Sequence, residues 1–175
     1  VKPFSFEEFL ISKDFKLDKQ ILFKTNTRVE LKKYFSEFLI NGGMPEYVQY
    51  HDSEILTRVY EDIVIKDIVA RYKVDNIKEL KELYQYLITT KSQRFSYNSL
   101  KKIIRINSAN TIKKYINYLE EAYFISQVSK FDYSLKKQIK NDKKIYVIDN
   151  GFVSKISLKF TKDDGWLLEN AVFTE

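Results

Sequence analysis

Phe95-Ser-Tyr-Asn-Ser-Leu-Lys-Lys-Ile-Ile-Arg-Ile-Asn-Ser-Ala-Asn-Thr-Ile-Lys-Lys-Tyr-Ile-Asn-Tyr-Leu119 decides how the rest of this chain is read. Ser96 is a capping residue type placed before Leu100, Ile103 and Ile104, whose spacing of three and four puts them on one face of a helix. A turn is expected at Ile106-Asn107. Ser108 then caps a second helix with Ile112, Ile116, Leu119 and Tyr123 facing inward. Between Leu83 and Leu119 there are seven Lys or Arg residues and no Asp or Glu. Two short capped helices joined by a tight turn, with no acid between them, describe a helix-turn-helix facing a polyanion.

Working outward, Asn76 to Thr90 has the pattern of an amphipathic helix. Ile77, Leu80, Leu83, Tyr84, Leu87 and Ile88 share one side, and Lys78, Glu79, Lys81 and Glu82 the other. Downstream the period changes to that of strands, over 124–131 and 144–149, with the basic stretch Leu135 to Lys143 as the connection between them. Three helices followed by a hairpin is the order of a winged helix. The expected fold class is therefore mainly α, with a winged helix-turn-helix over 73–150 that carries a β-hairpin wing.

Upstream, Pro3, Ser5 and Glu8 describe an extended entry into a short helix with a capping box. A helix over 27–40 is expected to start at Thr27 as N-cap and stop at Asn41-Gly42-Gly43, where a positive φ costs little. Met44-Pro45-Glu46 opens a short helical piece, read as architecture rather than chemistry. Ser53 to Tyr72 reads as one longer helix. Residues 151–175 give a last helix near Gly165 to Phe173.

The formal charge is +6, and it is localised. Residues 1–75 hold 12 basic and 13 acidic side chains, residues 76–150 hold 15 and 7, and residues 151–175 hold 3 and 4. A concentrated basic stretch sums into a field over one face and favours an anionic partner, with steep salt dependence. The chain has no Cys and one His, His51, which excludes disulfides, thiolate metal sites and His-cluster sites. His51 reads as a loop residue. There is neither a secretory pattern nor an apolar run near the length of a membrane span, so a cytoplasmic location and no membrane partner are expected. Phosphate-cradling Gly-rich loops are absent from this stretch of chain.

The second helix of the pair would present Ser108, Asn110, Thr111, Lys113, Lys114 and Asn117 outward, because Ile112, Ile116 and Leu119 claim its core face. Lys113 and Lys114 suit phosphates, while Asn110, Thr111 and Asn117 carry donors and acceptors suited to base edges. Lys136, Lys137, Lys140, Lys143 and Lys144 would line the wing and add affinity with little sequence information. The alternative is a solvated face that serves protein docking or an interdomain relay. Asp67 and Arg71 read as an i,i+4 ion pair, with Arg71 as a nucleotide-phosphate sensor for a neighbouring module as the second reading. Glu169 is a single carboxylate, and one carboxylate does not make a metal site. No catalytic residue is expected in this chain.

The blocks Pro3-Phe-Ser-Phe-Glu-Glu-Phe-Leu10, Gly42-Gly-Met-Pro-Glu46, Asp67-Ile-Val-Ala-Arg71, Phe95-Ser-Tyr-Asn98, Asn110 to Ala122, Tyr133-Ser-Leu-Lys-Lys137, Lys144 to Gly151 and Leu167-Leu-Glu-Asn170 follow one another in a pattern. Together they resemble the C-terminal part of the archaeal and bacterial AAA-superfamily ATPases that carry a trailing domain of unknown function. The resemblance implies an upstream ATPase core in the same polypeptide, bearing the Walker motifs and using ATP and Mg²⁺. It further implies a lid-like helical region over 1–72 following that core, the winged helix over 73–150, and the start of a truncated restriction-endonuclease-like α/β domain over 151–175. Glu169 matches the first acid of that nuclease-like fold. The expected role of this chain is binding, with duplex DNA as the partner, inside an ATP-dependent protein.

Overall fold

Short-range capping rules account for most of the helix boundaries, over the residues that the computed structural model describes: 2–17, 25–90, 94–157 and 164–175. Helix α1 (Phe6–Ser12) is held by a reciprocal box in which Glu8 N donates to Ser5 Oγ at 3.2 Å and Ser5 N donates to Glu8 Oε2 at 2.8 Å. Helix α2 (Thr25–Asn41) begins before the expected cap, so Thr27 lies in its first turn. Thr25 and Asn26 have cap chemistry of their own, so residue type alone did not single out Thr27. Gly42, at φ +74°, ends α2, and α3 (Pro45–Tyr50) follows with Pro45 at its first position and His51, at φ 55°, closing it.

The stretch read as one helix is helical without interruption from Glu54 to Tyr72, but its middle is widened. Helix α4 (Glu54–Asp62) runs into a π-helical segment, Ile63–Val69, and then α5 (Ala70–Tyr72). Ile55, Leu56, Val59, Tyr60, Ile63 and Val64 follow the α period on the core side, and one more α turn would bring Asp67 inward. The wider turn carries Asp67 outward and puts Ile68 in the core instead. It also dissolves the expected Asp67–Arg71 pair, which needs the α spacing. The ion pair on this helix joins Lys66 Nζ to Asp62 Oδ1 at 2.8 Å.

Helix α6 (Ile77–Thr89) is capped by Asn76, whose Oδ1 accepts from Glu79 N. Helices α7 (Tyr97–Ile104) and α8 (Ala109–Glu121) follow, capped by Ser96 and Ser108. Strands β1 (Ile125–Ser129) and β2 (Lys143–Val147) pair antiparallel, with Ile125 opposite Val147 and Ser129 opposite Lys143. Phe95 joins β2 through an antiparallel bridge, its N donating to Lys143 O at 3.0 Å and its O accepting from Lys143 N at 2.9 Å. The expected connection between the strands contains a helix, α9 (Leu135–Lys140). Helices α10 (Asn150–Ile156) and α11 (Asp164–Thr174) complete the order. The described residues are mainly helical, with a small two-stranded antiparallel sheet.

Packing corrects two inward assignments and one turn residue. Ile103 is half exposed, and Ile106, expected in a turn, is buried in its place. Helix α8 stops at Glu121, and Tyr123 at φ 57° turns the chain so that Phe124 enters the core while Tyr123 stays 80% exposed.

One apolar core is continuous from Met44, Leu56, Val64 and Ile68 through Tyr84, Ile112, Ile116 and Phe124 to Phe152 and Trp166, crossing the expected boundary at residues 72 and 73. A smaller cluster of Phe9, Phe38 and Val48 packs α1 on α2. The end of α2 and the segment from β2 to α11 meet at a buried polar hub. Asp149 accepts from Gly43 N at 2.5 Å and from Gly151 N at 2.8 Å. Asn170 accepts from Val147 N and donates to Val147 O and Asn150 Oδ1, and Asn150 donates to Leu39 O and Leu167 O. These bonds tie α2, β2, α10 and α11 together. Every one of them satisfies a group that burial would otherwise leave costly.

Candidate nucleic-acid interface

The basic face is built on α8. Its first turn is fixed by Ser108 Oγ, which accepts from Asn110 N at 3.1 Å, and its inner side by the fully buried Ile112, Ile116 and Leu119. That anchoring leaves Asn110, Lys113 and Lys114 exposed and Ser108, Thr111 and Asn117 half-buried, all on the outer side. Helix α7 adds Lys101 and Lys102 in its last turn.

The sheet locks this helix in place through one side chain. Gln127 on β1 donates from N and Nε2 to the two carboxylate oxygens of Glu120, at 2.8 and 2.9 Å. Its Oε1 accepts from Tyr97 Oη at 2.8 Å, and its Nε2 lies 3.4 Å from Asn117 Oδ1. Helices α7 and α8 are thereby clamped to β1. Burial and the Glu120 charge raise the Tyr97 hydroxyl above the ordinary tyrosine range, which keeps it a donor.

The wing lysines divide into two sets, because successive strand residues point to opposite faces. Lys143 lies 5.2 Å from the Tyr97 ring centroid and donates to Ile139 O and Asn141 O. Partial burial and the charge of Lys113 lower its pKa below the usual lysine range, with Asp142 opposing. Lys143 and Lys113 therefore belong to one electrostatic surface. Lys136, Lys137 and Lys140 are exposed on α9. Lys144 faces the other way and pairs with Glu169 Oε1 at 2.7 Å, the oxygen that also accepts from Tyr146 Oη at 2.7 Å. Lys144 is thus occupied in holding α11, and it does not contribute to the α8 surface. The pair of donors holds the Glu169 carboxyl below its ordinary range, and Tyr146 is pushed up to about 12.

Arg71 is exposed in the last turn before Lys73, next to Tyr72, whose hydroxyl donates to Glu121 of α8 and whose ring stacks on Tyr118. Glu169 is part of no metal-type cluster: among the described residues no three His, Asp or Glu side chains gather as a metal site requires. No described helix is long and apolar enough to cross a membrane. Sequence reading did not single out Gln127, Asp149 or Asn170. Asp149-Asn150-Gly151 carried the only local signal, that of a turn.

Fold and surface together define a helix-rich chain in which a three-helix unit and a short hairpin present one basic face. The chain belongs to the family described as a domain of unknown function, DUF8612, which matches residues 32–164. It is similar to the uncharacterized protein MJ1544 of Methanocaldococcus jannaschii, 36% identical over 183 residues covering 100% of this chain and 40% of that protein. It is also similar to an uncharacterized protein of Haemophilus influenzae, 27% identical over 182 residues covering 100% of this chain and 43% of that protein. The chain thus spans about two fifths of the length of these curated relatives. No solved structure matches it.

Proposed function

We propose that this chain is the DNA-binding portion of a larger ATP-driven protein, and that residues from Asn76 to Val147 work as a winged helix on duplex DNA. The observation that carries the reading is the acid-free outer side of the first turns of α8, where Lys113 and Lys114 stand exposed beside Asn110 and within the electrostatic reach of Lys143. Helix α6, the Phe95 bridge, α7, α8, β1 and β2 follow one another in winged-helix order. Helix α8 would enter the major groove, Lys113 and Lys114 contacting phosphates while Asn110 and Thr111 reach base edges. Lys136, Lys137, Lys140 and Lys143 would follow the flanking backbone. The ATP-driven part rests on the resemblance to AAA-superfamily ATPases. Relatives more than twice as long as this chain have room for such a core, which would bring ATP and Mg²⁺.

The test is duplex affinity of the Lys113→Glu/Lys114→Glu variant at two salt concentrations. Loss of two phosphate contacts is expected to weaken binding by about tenfold or more and to flatten the log–log salt slope by about 2. Unchanged affinity and slope would overturn the DNA reading. A second reading, in which this unit docks on protein, is favoured by the half-exposed Ile103 and by Tyr123, apolar surface beside the same helices. It predicts no steep salt slope with random duplex.

A further inference from the structure

We infer that the tip between β1 and β2 grips unpaired bases, so that the DNA this chain prefers is a duplex carrying a single-stranded tail; this rests on the DNA-binding reading above. Phe131, Tyr133, Leu135 and Ile139 are 70%, 99%, 71% and 65% exposed, a concentration of bare apolar side chains on a connection of about a dozen residues. The Phe131 and Tyr133 rings meet edge to face with centroids 5.2 Å apart, and neither is buried in the core.

The tip is built rather than slack. Ser134 N donates to Asp132 Oδ1 at 2.9 Å, Gln138 Nε2 donates to Asp132 O at 2.6 Å, and Asn141 Nδ2 donates to Lys130 O at 3.2 Å. This backbone would hold its shape with small polar residues in place of the aromatic ones, so local folding does not require the rings.

Charge selects the occupant. Lys136, Lys137 and Lys140 stand exposed on the same short helix as Leu135 and Ile139, and with Lys130 and Lys143 they outnumber the two acids of the tip, Asp132, whose Oδ1 accepts from Ser134 N, and the exposed Asp142. A surface that offers π faces beside cations fits a ligand with flat apolar faces on a polyanionic backbone, which is single-stranded nucleic acid. Lys143 joins this tip to the helices of the basic face: its Nζ donates to Ile139 O and Asn141 O in the connection and lies 5.2 Å from the ring centroid of Tyr97 on α7. A duplex seated on α8 would therefore place its end, or a melted junction, against the aromatic pair. Base pairs inside the duplex cannot use these rings, because both of their faces are stacked on neighbours, whereas each unpaired base of a tail has faces to offer.

The experiment compares fluorescence anisotropy of labelled blunt duplex, the same duplex with an oligothymidine tail, and oligothymidine alone. Wild type is set against Phe131→Ala/Tyr133→Ala, Phe131→Leu/Tyr133→Leu and Lys113→Glu/Lys114→Glu, with circular dichroism as the folding control. Wild type should bind the tailed duplex about tenfold more tightly than the blunt one, the effect of one or two stacked bases. Both wing variants should lose that preference and keep blunt-duplex affinity, since leucine retains the apolar bulk but has no π face. Wild type with no tail preference, or leucine and alanine variants that retain it, would overturn the inference. So would wing-dependent capture by vesicles containing anionic phospholipid without any tail preference, which would make the tip a membrane contact. Failure of the duplex reading looks different: Lys113→Glu/Lys114→Glu leaves blunt binding unchanged while tail binding still depends on the wing.

Discussion

Asp149 sets the chemistry of the hub in which α2, α10 and α11 converge. It is 4% exposed, and burial raises its pKa to about 6 even though Gly43, Gly151 and Phe152 N–H groups favour the charged form. Desolvation therefore outweighs the hydrogen bonds. The folded pKa lies above the unfolded one, so the native state holds its proton more tightly. The contribution of this group is complete below about pH 4 and is lost as pH rises through about 6. Over that window it amounts to roughly 3 kcal/mol. Asp149→Asn cannot titrate and should be less stable than wild type near pH 4, the deficit shrinking by about that amount at pH 7 in urea melts. A deficit independent of pH would show that Asp149 is charged throughout. The glycines around it are equally constrained. At Gly42, φ is +74° and an added Cβ would lie 2.0 Å from Asp149 Oδ1, while at Gly43 it would lie 2.4 Å from Phe4 O, a backbone atom with no room to retreat. Gly43→Ala should therefore cost on the order of 3 kcal/mol or more, read as a lowered urea midpoint with an unchanged m-value.

At the scale of elements, the hairpin holds the helices that carry the basic face, and it does so through Gln127. Gln127→Ala removes three side-chain contacts, to Glu120, Tyr97 and Asn117, and leaves the half-buried Glu120 carboxylate with fewer donors. The main-chain bond from Gln127 N survives, so the expected loss is about 1–3 kcal/mol, on the order of 3–10 °C in Tm. Because α8 loses its brace, duplex affinity should fall as well. A Tm shift with unaltered affinity would show that α8 is positioned by its core face alone. The elements differ in how well the sequence announced them. Ser5, Ser96, Ser108 and Gly42 act on neighbours two to four residues away, and all of them were legible because capping is local. The π segment was not, since its cause is the need to keep Asp67 out of a core supplied by other helices. Helix α9 was missed because only Leu135 and Ile139 mark its period, and both face solvent. The division of the lysines was hidden too: Lys143 and Lys144 are neighbours in sequence, and only pairing with Glu169, 25 residues on, separates their roles.

For the molecule as a whole, the placement of the core predicts how it unfolds. Charge falls into a basic middle between near-neutral flanks, and a similar partition was expected of the fold, with a helical region up to residue 72 and a separate unit beyond it. Packing cuts across that partition: Leu56, Val64 and Ile68 share one core with Tyr84, Ile116 and Phe124, and Phe152 and Trp166 extend it from the C-terminal side. The polar hub closes the same circuit, linking Gly43 to Asp149 across 106 positions and Val147 to Asn170 across 23. Units that share a core cannot unfold independently, since opening either one exposes the apolar surface of the other. A single calorimetric transition is therefore expected, with far-UV and near-UV circular dichroism melting together. Asn170→Ala supplies the sharper test. It leaves Val147 N–H and Asn150 Oδ1 without their partner in a fully buried site, a loss of roughly 3–5 kcal/mol. If α11 is part of the common core, that loss lowers the one transition as a whole. If instead a low-temperature step splits off while the main transition stays in place, α11 is an independent flap and the core ends at Phe152.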